Sequence, residues 1–307
     1  MPTAANLSMT GSKEKEQREQ MDTEKLRILL MVTECQSITE AAQKSGYTPS
    51  GISRMIASLE AYYGFPLLIR RHEGVEPTEA CQSLLPETRE LLYHENLLTQ
   101  TAGEIRGLSV GTVSIGSAYS SCFPVLKKII ADFHHRYPGI TFHITSGFST
   151  DLCTELTERK LDMAIVGKRE GKWKWTLLQK SPMMAWVSAD SPYAALKAFP
   201  LEIVREAPYI EVYSGIDTDN KRVLASCGIR PNIQMHAKDS YTAFAMVEAG
   251  FGIAINEEKN CVFKSNKVKI IPVTPVKEVE IGIAAAAELS PAARLFLSCL
   301  KESPHLV

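Results

Sequence analysis

CQSITEAAQKSGYTPSGISRMIASLEAYYGFPLLIRR, residues 35–71, decides how the rest of the chain is read. TEAAQKSG, from Thr39, predicts a short helix. Ala41 and Ala42 are small and let another helix cross closely. Gly46 then closes the helix from the left-handed region. Thr48 suits an N-cap and Pro49 a first helical turn. Ile52, Ile56 and Leu59 recur at helical spacing and carry this helix from Pro49 to Tyr63. Upstream, Leu26, Leu29, Leu30 and Thr33 mark an earlier helix from about Met21. Two short helices around a glycine turn form a helix-turn-helix pattern. In that motif the second helix enters the major groove with its leading residues first. After Gly64, Leu67 to Arg71 predicts a strand, His72 to Gly74 a turn and Val75 a return strand. That makes a wing, with Arg70 and Arg71 placed for the sugar-phosphate backbone. The candidate DNA-contacting residues are Ser37, Thr39, Thr48, Pro49, Ser50, Ser53, Arg54, Arg70 and Arg71. Hydroxyls and guanidinium groups suit phosphates and base edges.

Charge does not make this reading by itself. Residues 21–80 hold six Lys and Arg against eight Asp and Glu, and the whole chain has a formal net charge of −1. Any DNA contact rests on local clustering. The 307 residues are 45% hydrophobic and 22% charged, values of a globular chain and not of a disordered one. Residues 1–20 are polar, with balanced charges, and are expected to be a disordered arm. No signal peptide and no membrane-length apolar run is expected. The seven cysteines are scattered, with neither C-x-x-C nor a Cys/His cluster. No metal or other cofactor is expected, and a reducing cytoplasm is the expected location.

The quoted stretch, with Thr78-Glu79-Ala80 after it, resembles the N-terminal domain of LysR-type transcriptional regulators. The matching residues are Ser37, Ala41-Ala42, Ser53-Arg54, Leu59-Glu60, Gly64, Leu67-Leu68 and Arg70. The resemblance implies binding to double-stranded DNA. It departs from the family at Pro49, where a Gln is usual, and at Ser50, where a Pro is usual. That Gln often contacts a base, so the resemblance does not carry base readout over to Pro49. Ile69 and Cys81 also replace a usual polar residue and a Gly.

From Pro77 to Leu108 the pattern is helical. Leu84, Leu91, Leu98 and Ile105 fall seven apart, with Leu85 and Leu92 thickening the row. Such a seam predicts pairing with a second helix; packing on the chain's own domain is the alternative. Pro86 interrupts the seam. The resemblance favours dimerisation through this helix, which would set two recognition helices on an approximately palindromic site.

From Ser109 onward strands and helices alternate. Val110 to Ile115, Pro124 to Tyr137, Ile140 to Ile144, Asp151 to Lys160 and Leu161 to Val166 read as βαβαβ, hence a parallel sheet. A second similar unit uses strands at Met184–Ser188, Tyr209–Val212, Ile233–His236 and Phe251–Ile255. Its helices cover Asn220–Cys227 and Ser240–Ala249. Crossovers near Ser181 and Val276 suggest two hinged lobes. This half is similar to the effector-binding domain of the same regulators and so to periplasmic binding proteins. The expected class is α/β: a winged helix-turn-helix (21–80), a long linker helix (81–108) and a two-lobed effector domain (109–307). Lobe I is expected over 109–180 and 277–307, and lobe II over 181–276.

Open α/β sheets bind ligands beyond the carboxyl ends of their strands. Residues there, which the resemblance places facing an effector, are Ser117, Ser120, Ser121, Ser149, Thr150, Gly167, Tyr213, Ser240 and Thr242. Hydroxyls beside helix N-termini favour a small carboxylate. Helix capping by each Ser or Thr is the alternative. Cys122 falls in the same candidate pocket, but packing is the preferred role. His134-His135 is expected at the surface, and Trp173 and Trp175 on an edge strand.

No nucleophile elbow, Walker loop, H-E-x-x-H or G-x-G-x-x-G follows a strand, so no enzyme is expected. The expected protein is an effector-modulated, DNA-binding transcriptional regulator. It is expected as a homodimer or homotetramer, with RNA polymerase among its implied partners and no membrane. A clamshell solute-binding protein without DNA function is the alternative.

Overall fold

The computed structural model describes residues 22–72, 74–107, 109–258 and 263–303. The expected arm over 1–20 and Cys261 lie outside the described residues. The chain divides into two compact units, one up to Leu92 and one from Tyr93.

In the first unit, polar caps set the helix starts. Asp22 accepts the Glu24 amide and opens α1 (Thr23–Cys35). Ser37 accepts the Glu40 amide at 3.2 Å and opens α2 (Ile38–Ser45). Gly46 ends α2 at φ 75°, where a side chain would be strained. Thr48 accepts the Gly51 amide at 3.1 Å and opens α3 (Pro49–Tyr63), which has the bounds expected from sequence. Each helix then buries one face. Leu26, Leu29 and Val32 of α1 meet Ile52, Ile56 and Leu59 of α3, with Ala41 and Ala42 of α2 in the same core. The wing is an antiparallel pair, β1 (Leu68–Arg71) and β2 (Gly74–Pro77), with Arg70 opposite Val75. Val75 donates its amide to the Gln36 carbonyl at 2.9 Å, which ties the wing to the α1–α2 turn. The Thr78 hydroxyl accepts the Cys81 amide and starts α4 (Glu79–Ile105). Helix α4 continues through Pro86. The expected interruption there is a missing hydrogen-bond donor inside an unbroken helix.

The second unit continues with β3 (Gly111–Ser117), α5 (Phe123–Arg136), β4 (Ile140–Ser146), α6 (Ser149–Thr157), β5 (Met163–Gly167) and β6 (Trp173–Ser188). Next come β7 (Phe199–Pro200), β8 (Tyr209–Val212), α7 (Asp219–Ser226), β9 (Ile233–Ala237) and α8 (Ser240–Glu248). Last are β10 (Ala254–Glu257), β11 (Val268–Thr274), β12 (Glu278–Ala286) and α9 (Pro291–Glu302). Strand β3 lies between β4 and β5, all parallel, which is the expected βαβαβ arrangement. Helix α6 begins two residues before, and ends three before, the expected Asp151–Lys160.

Strand β6 departs most from expectation. It is one strand of 16 residues, whereas a strand at Met184–Ser188 and a separate edge strand bearing Trp173 and Trp175 were expected. Up to Pro182 it pairs antiparallel with β12; from Met183 it pairs with β10 and β11. The two lobes therefore share a strand. Trp173 and Trp175 fall on the part that pairs with β12. Strand β11 was not anticipated, since Pro272 within it lacks a ladder donor.

Lobe I buries Val113, Ile115, Ile165 and Ile283 of the sheet under Leu126 and Phe133 of α5, Leu152 of α6 and Phe296 of α9. Lobe II closes around Trp186, Ile210, Val212, Phe244 and Val247. Burial of this kind stabilises by about 1.5–3 kcal/mol per large apolar side chain. Among the described residues, no helix is long and apolar enough to cross a membrane.

Candidate functional site

Two surfaces carry the predicted site residues, one in each unit. In the first unit, burying Ile52, Ile56 and Leu59 turns the opposite face of α3 outward. Thr48, Pro49, Ser50 and Arg54 are exposed, and Ser53 is half-buried. The Thr48 hydroxyl lies 3.2 Å from that of Ser50, so the cap and its neighbour form one polar tip. Pro49 contributes no amide to that tip. Thr39 is exposed, whereas the Ser37 hydroxyl is engaged as the α2 cap. Arg70 and Arg71 are exposed on β1. Arg71 pairs with Glu76 at 3.0 Å, but both side chains are more than half exposed, at 57% and 54%. Such a pair is weak and leaves the guanidinium available to a phosphate.

The heptad row of α4 has two environments. Leu84 and Leu91 pack against the first unit's core, beside Leu85 and Leu92. Leu98 and Ile105 are 71% and 83% exposed.

In the second unit a cavity of about 440 Å³ opens at the strand ends of both lobes. Lobe I contributes Ser117 at the end of β3 with Tyr119, Ser120 and Phe123 beyond it, Ser146 at the end of β4 with Phe148 and Ser149 beyond it, and Arg169 after β5. Lobe II contributes Tyr213, Asp217 and Thr218 between β8 and α7, Asp219 and Asn220 in the first turn of α7, Asp239 to Tyr241 at the start of α8, and Asn256 and Glu257 of β10. Of the predicted effector residues, Ser117, Ser120, Ser149, Tyr213 and Ser240 line the cavity. Ser121, Thr150, Gly167 and Thr242 stand outside its lining. Cys122 is also outside it and packs on the lobe I core.

Thr218 caps α7, but the expected lining hydroxyls of Ser149 and Ser240 cap no helix. Ser149 accepts the Gly167 amide at 3.0 Å, and the cap position of α6 is Phe148, whose side chain makes no capping bond. Helix α8 is capped by Asp239, which accepts the Thr242 amide at 2.7 Å. The Ser240 hydroxyl instead accepts from the Asn256 amide group at 3.3 Å. Tyr213 holds φ 56° and stacks edge-on against Phe148 of lobe I, with centroids 4.8 Å apart. A strained backbone at a ligand clamp is a recurrent arrangement.

Sequence reasoning missed the charges that join the lobes. Arg169 of lobe I donates through Nη1 to Asp219 Oδ1 of lobe II at 2.8 Å and through Nε to the Thr150 hydroxyl at 3.1 Å. Tyr119 donates its hydroxyl to Asp219 Oδ2 at 2.7 Å. The Thr150 hydroxyl donates to Asp217 at 2.7 Å, and Arg222 grips Asp217 through Nε and Nη2. The side chains of Arg169 and Asp219 are only 6% and 15% exposed. Gly167 makes room for this approach, since a Cβ there would sit 2.8 Å from the Tyr119 hydroxyl and nearer still to the Asp219 carboxylate. The Arg222 hydrogen bond holds the Asp217 carboxyl below its ordinary pKa. Burial, then the Asp219 charge, pushes the Tyr119 phenol up, so it remains a donor. Nothing local marks these residues: Arg169 and Asp219 are 50 positions apart.

Two family descriptions cover nearly all of the described chain. "Bacterial regulatory helix-turn-helix protein, lysR family" matches residues 23–82 and "LysR substrate binding domain" residues 106–304. The chain belongs to the LysR family of transcriptional regulators, with a DNA-binding head and a two-lobed effector-binding domain. It is 24% identical over 287 residues to the uncharacterized HTH-type regulator YvbU of Bacillus subtilis, covering 92% of this chain and 98% of that protein. Its fold is similar to that of full-length OxyR from Pseudomonas aeruginosa, with TM-score 0.70 and 19% identity over 93% of this chain and 96% of that one. It is also similar to full-length CbnR, solved with its target DNA, with TM-score 0.61 and 18% identity over 92% and 99% of the two chains.

Proposed function

We propose that the chain places the leading end of α3 in a major groove, and that a small acid bound between the lobes changes how it does so. The observation that carries this reading is the pairing, in one chain, of an outward α3 tip bearing Arg54 with a cavity lined by both lobes. Ser50, Ser53 and Arg54 read base edges and Arg70 and Arg71 hold phosphates, a division that follows from groove chemistry. The acid would meet Arg169, the one Lys or Arg among the described lining residues, and the hydroxyls of Ser120, Ser149 and Ser240.

The proposed divisions are a head over 21–80, a linker over 81–108 and an effector domain over 109–307. Two chains pair through α4, with Leu98 and Ile105 at the seam, and four chains are the larger alternative. Contact with RNA polymerase would carry the signal onward. The proposed place of action is the cytoplasm, and no catalytic step forms part of the proposal. CbnR's solution with target DNA supports the DNA partner by family likeness.

The test is recovery of fragmented genomic DNA on the purified full-length protein, with and without metabolite extract. Discrete enriched sites whose occupancy changes with extract are expected. Uniform recovery of all fragments under both conditions would overturn the reading.

A further inference from the structure

We propose that Asp219 fills, from lobe II, a carboxylate cradle built by lobe I, and that an acidic effector is sensed by taking its place. The inference rests on the cleft reading above and names the residues and the exchange that the reading lacks.

Each oxygen of the Asp219 carboxylate has a dedicated donor on lobe I. Oδ1 accepts from Arg169 Nη1 at 2.8 Å, and Oδ2 from the Tyr119 hydroxyl at 2.7 Å. Gly167 leaves the space the carboxylate occupies. Both donors line the cavity, and Gly167 abuts them, so the cradle is open to a ligand from the cleft side. Arg169 is buried to 6% exposure, yet its Nη2 makes no hydrogen bond. The guanidinium therefore keeps one donor in reserve beside the cavity.

A guanidinium grips a carboxylate best with two parallel N–H bonds. Here such a grip needs Nη2 together with a nitrogen already in use. Nε is committed to Thr150, which in turn holds Asp217 in the Arg222 pair. Nη1 is committed to Asp219 and to the Lys168 carbonyl, so both its hydrogens are in use. Taking Nη1 from Asp219 also frees the Tyr119 hydroxyl for the incoming acid. The end-on grip is thus the one the site completes, and it excludes Asp219.

Displacement does not strand a charge. Asp219 is the first residue of α7, where the helix N-terminus favours a carboxylate in solvent as well as in the cradle. The consequence is a tie between lobes that an acid undoes: donors on lobe I, acceptor on lobe II, and one carboxylate position between them. An effector that binds by breaking that tie has different affinities for the tied and untied states, which is what coupling requires.

The experiment is chemical rescue, read by thermal melting of the full-length protein in sodium acetate against sodium chloride at equal ionic strength. Asp219→Ala empties the cradle. Its melting temperature should fall below wild type and rise in acetate by roughly 2–4 °C, the size expected for a weakly binding ligand present well above its Kd. Wild type, where Asp219 competes, should respond by less than half of that. The double variant Arg169→Met with Asp219→Ala should not respond. If Asp219→Ala does not fold, Asp219→Asn keeps the shape, and acetate must stabilise it more than wild type. Equal melting in both salts for the Asp219 variant overturns the cradle. Fragment recovery by the wild-type protein is measured alongside: discrete sites with no acetate rescue sink only this inference, whereas uniform recovery sinks the functional reading itself.

Discussion

Arg54 and Arg169 carry the same guanidinium, and their surroundings give them different work. Arg54 stands exposed on α3, free to exchange water for a base edge or phosphate. Arg169 is sealed in a hydrogen-bonded network and can act only on what enters the cavity. Arg54→Ala is expected to weaken binding to a recovered operator by about 1–3 kcal/mol, the usual value of a specific base contact. Fluorescence anisotropy at several salt concentrations checks it, and unchanged affinity at all of them would remove α3 as the reader. Asp162 offers a second test at this scale. It accepts the Ser114 amide at 2.8 Å, but burial pushes its carboxyl up to about 6. A raised folded-state pKa means the folded chain keeps a proton that the unfolded chain releases. Stability attributable to this group is therefore highest near pH 4 and falls as pH rises toward 6, by about 2–3 kcal/mol. Asp162→Asn should remove that fall, so its melting temperature relative to wild type should climb between pH 4 and pH 6.5. A difference that stays flat across this range would show that Asp162 is not held protonated.

At the scale of the element, α3 is a helix whose two roles meet at its first turn. The Thr48 hydroxyl satisfies the Gly51 amide, and the same turn forms the exposed tip. Thr48→Ala should cost about 1 kcal/mol of stability through the lost cap. Urea unfolding of the protein measures it, and a midpoint equal to wild type would mean the cap contributes nothing. Helix α4 shows the complementary case. Its first turns are held by apolar contacts of Leu84, Leu85, Leu91 and Leu92 with the first unit's core, while Leu98 and Ile105 leave their apolar surface in solvent. Pairing of two chains through α4, as proposed, would cover the part of the row that this chain leaves exposed.

For the whole molecule, that uncovered row bears on assembly. Leu98→Asp with Ile105→Asp is expected to shift the protein from dimer or tetramer toward monomer in sedimentation velocity. It should also shorten the protected DNA by about one helical turn, the spacing of half-sites read by paired heads. An unchanged sedimentation coefficient would move the interface elsewhere. The lobes pose a question of the same scale. They share β6 and are tied by Arg169 and Tyr119 on Asp219. A shared strand restrains their separation, whereas side-chain ties can be exchanged without breaking a backbone ladder.

What the sequence determined by itself was everything set by near neighbours. Thr48, Pro49 and the recurrence of Ile52, Ile56 and Leu59 define α3 to its terminal residues, because caps and helical period act within a turn or two. The alternating strands and helices from Ser109 define a parallel sheet for the same reason. Tertiary structure alone decided that β6 runs through both lobes, since strand length there depends on partners from β10, β11 and β12 far along the chain. It alone decided which polar groups became the cavity wall. Ser149 and Ser240 are expected at the effector site from sequence, with capping as the alternative, and only the fold shows their hydroxyls serving Gly167 and Asn256. Arg169 and Asp219 carry no local pattern, because a charge pair is made by spatial approach in a low-dielectric cleft and not by spacing along the backbone.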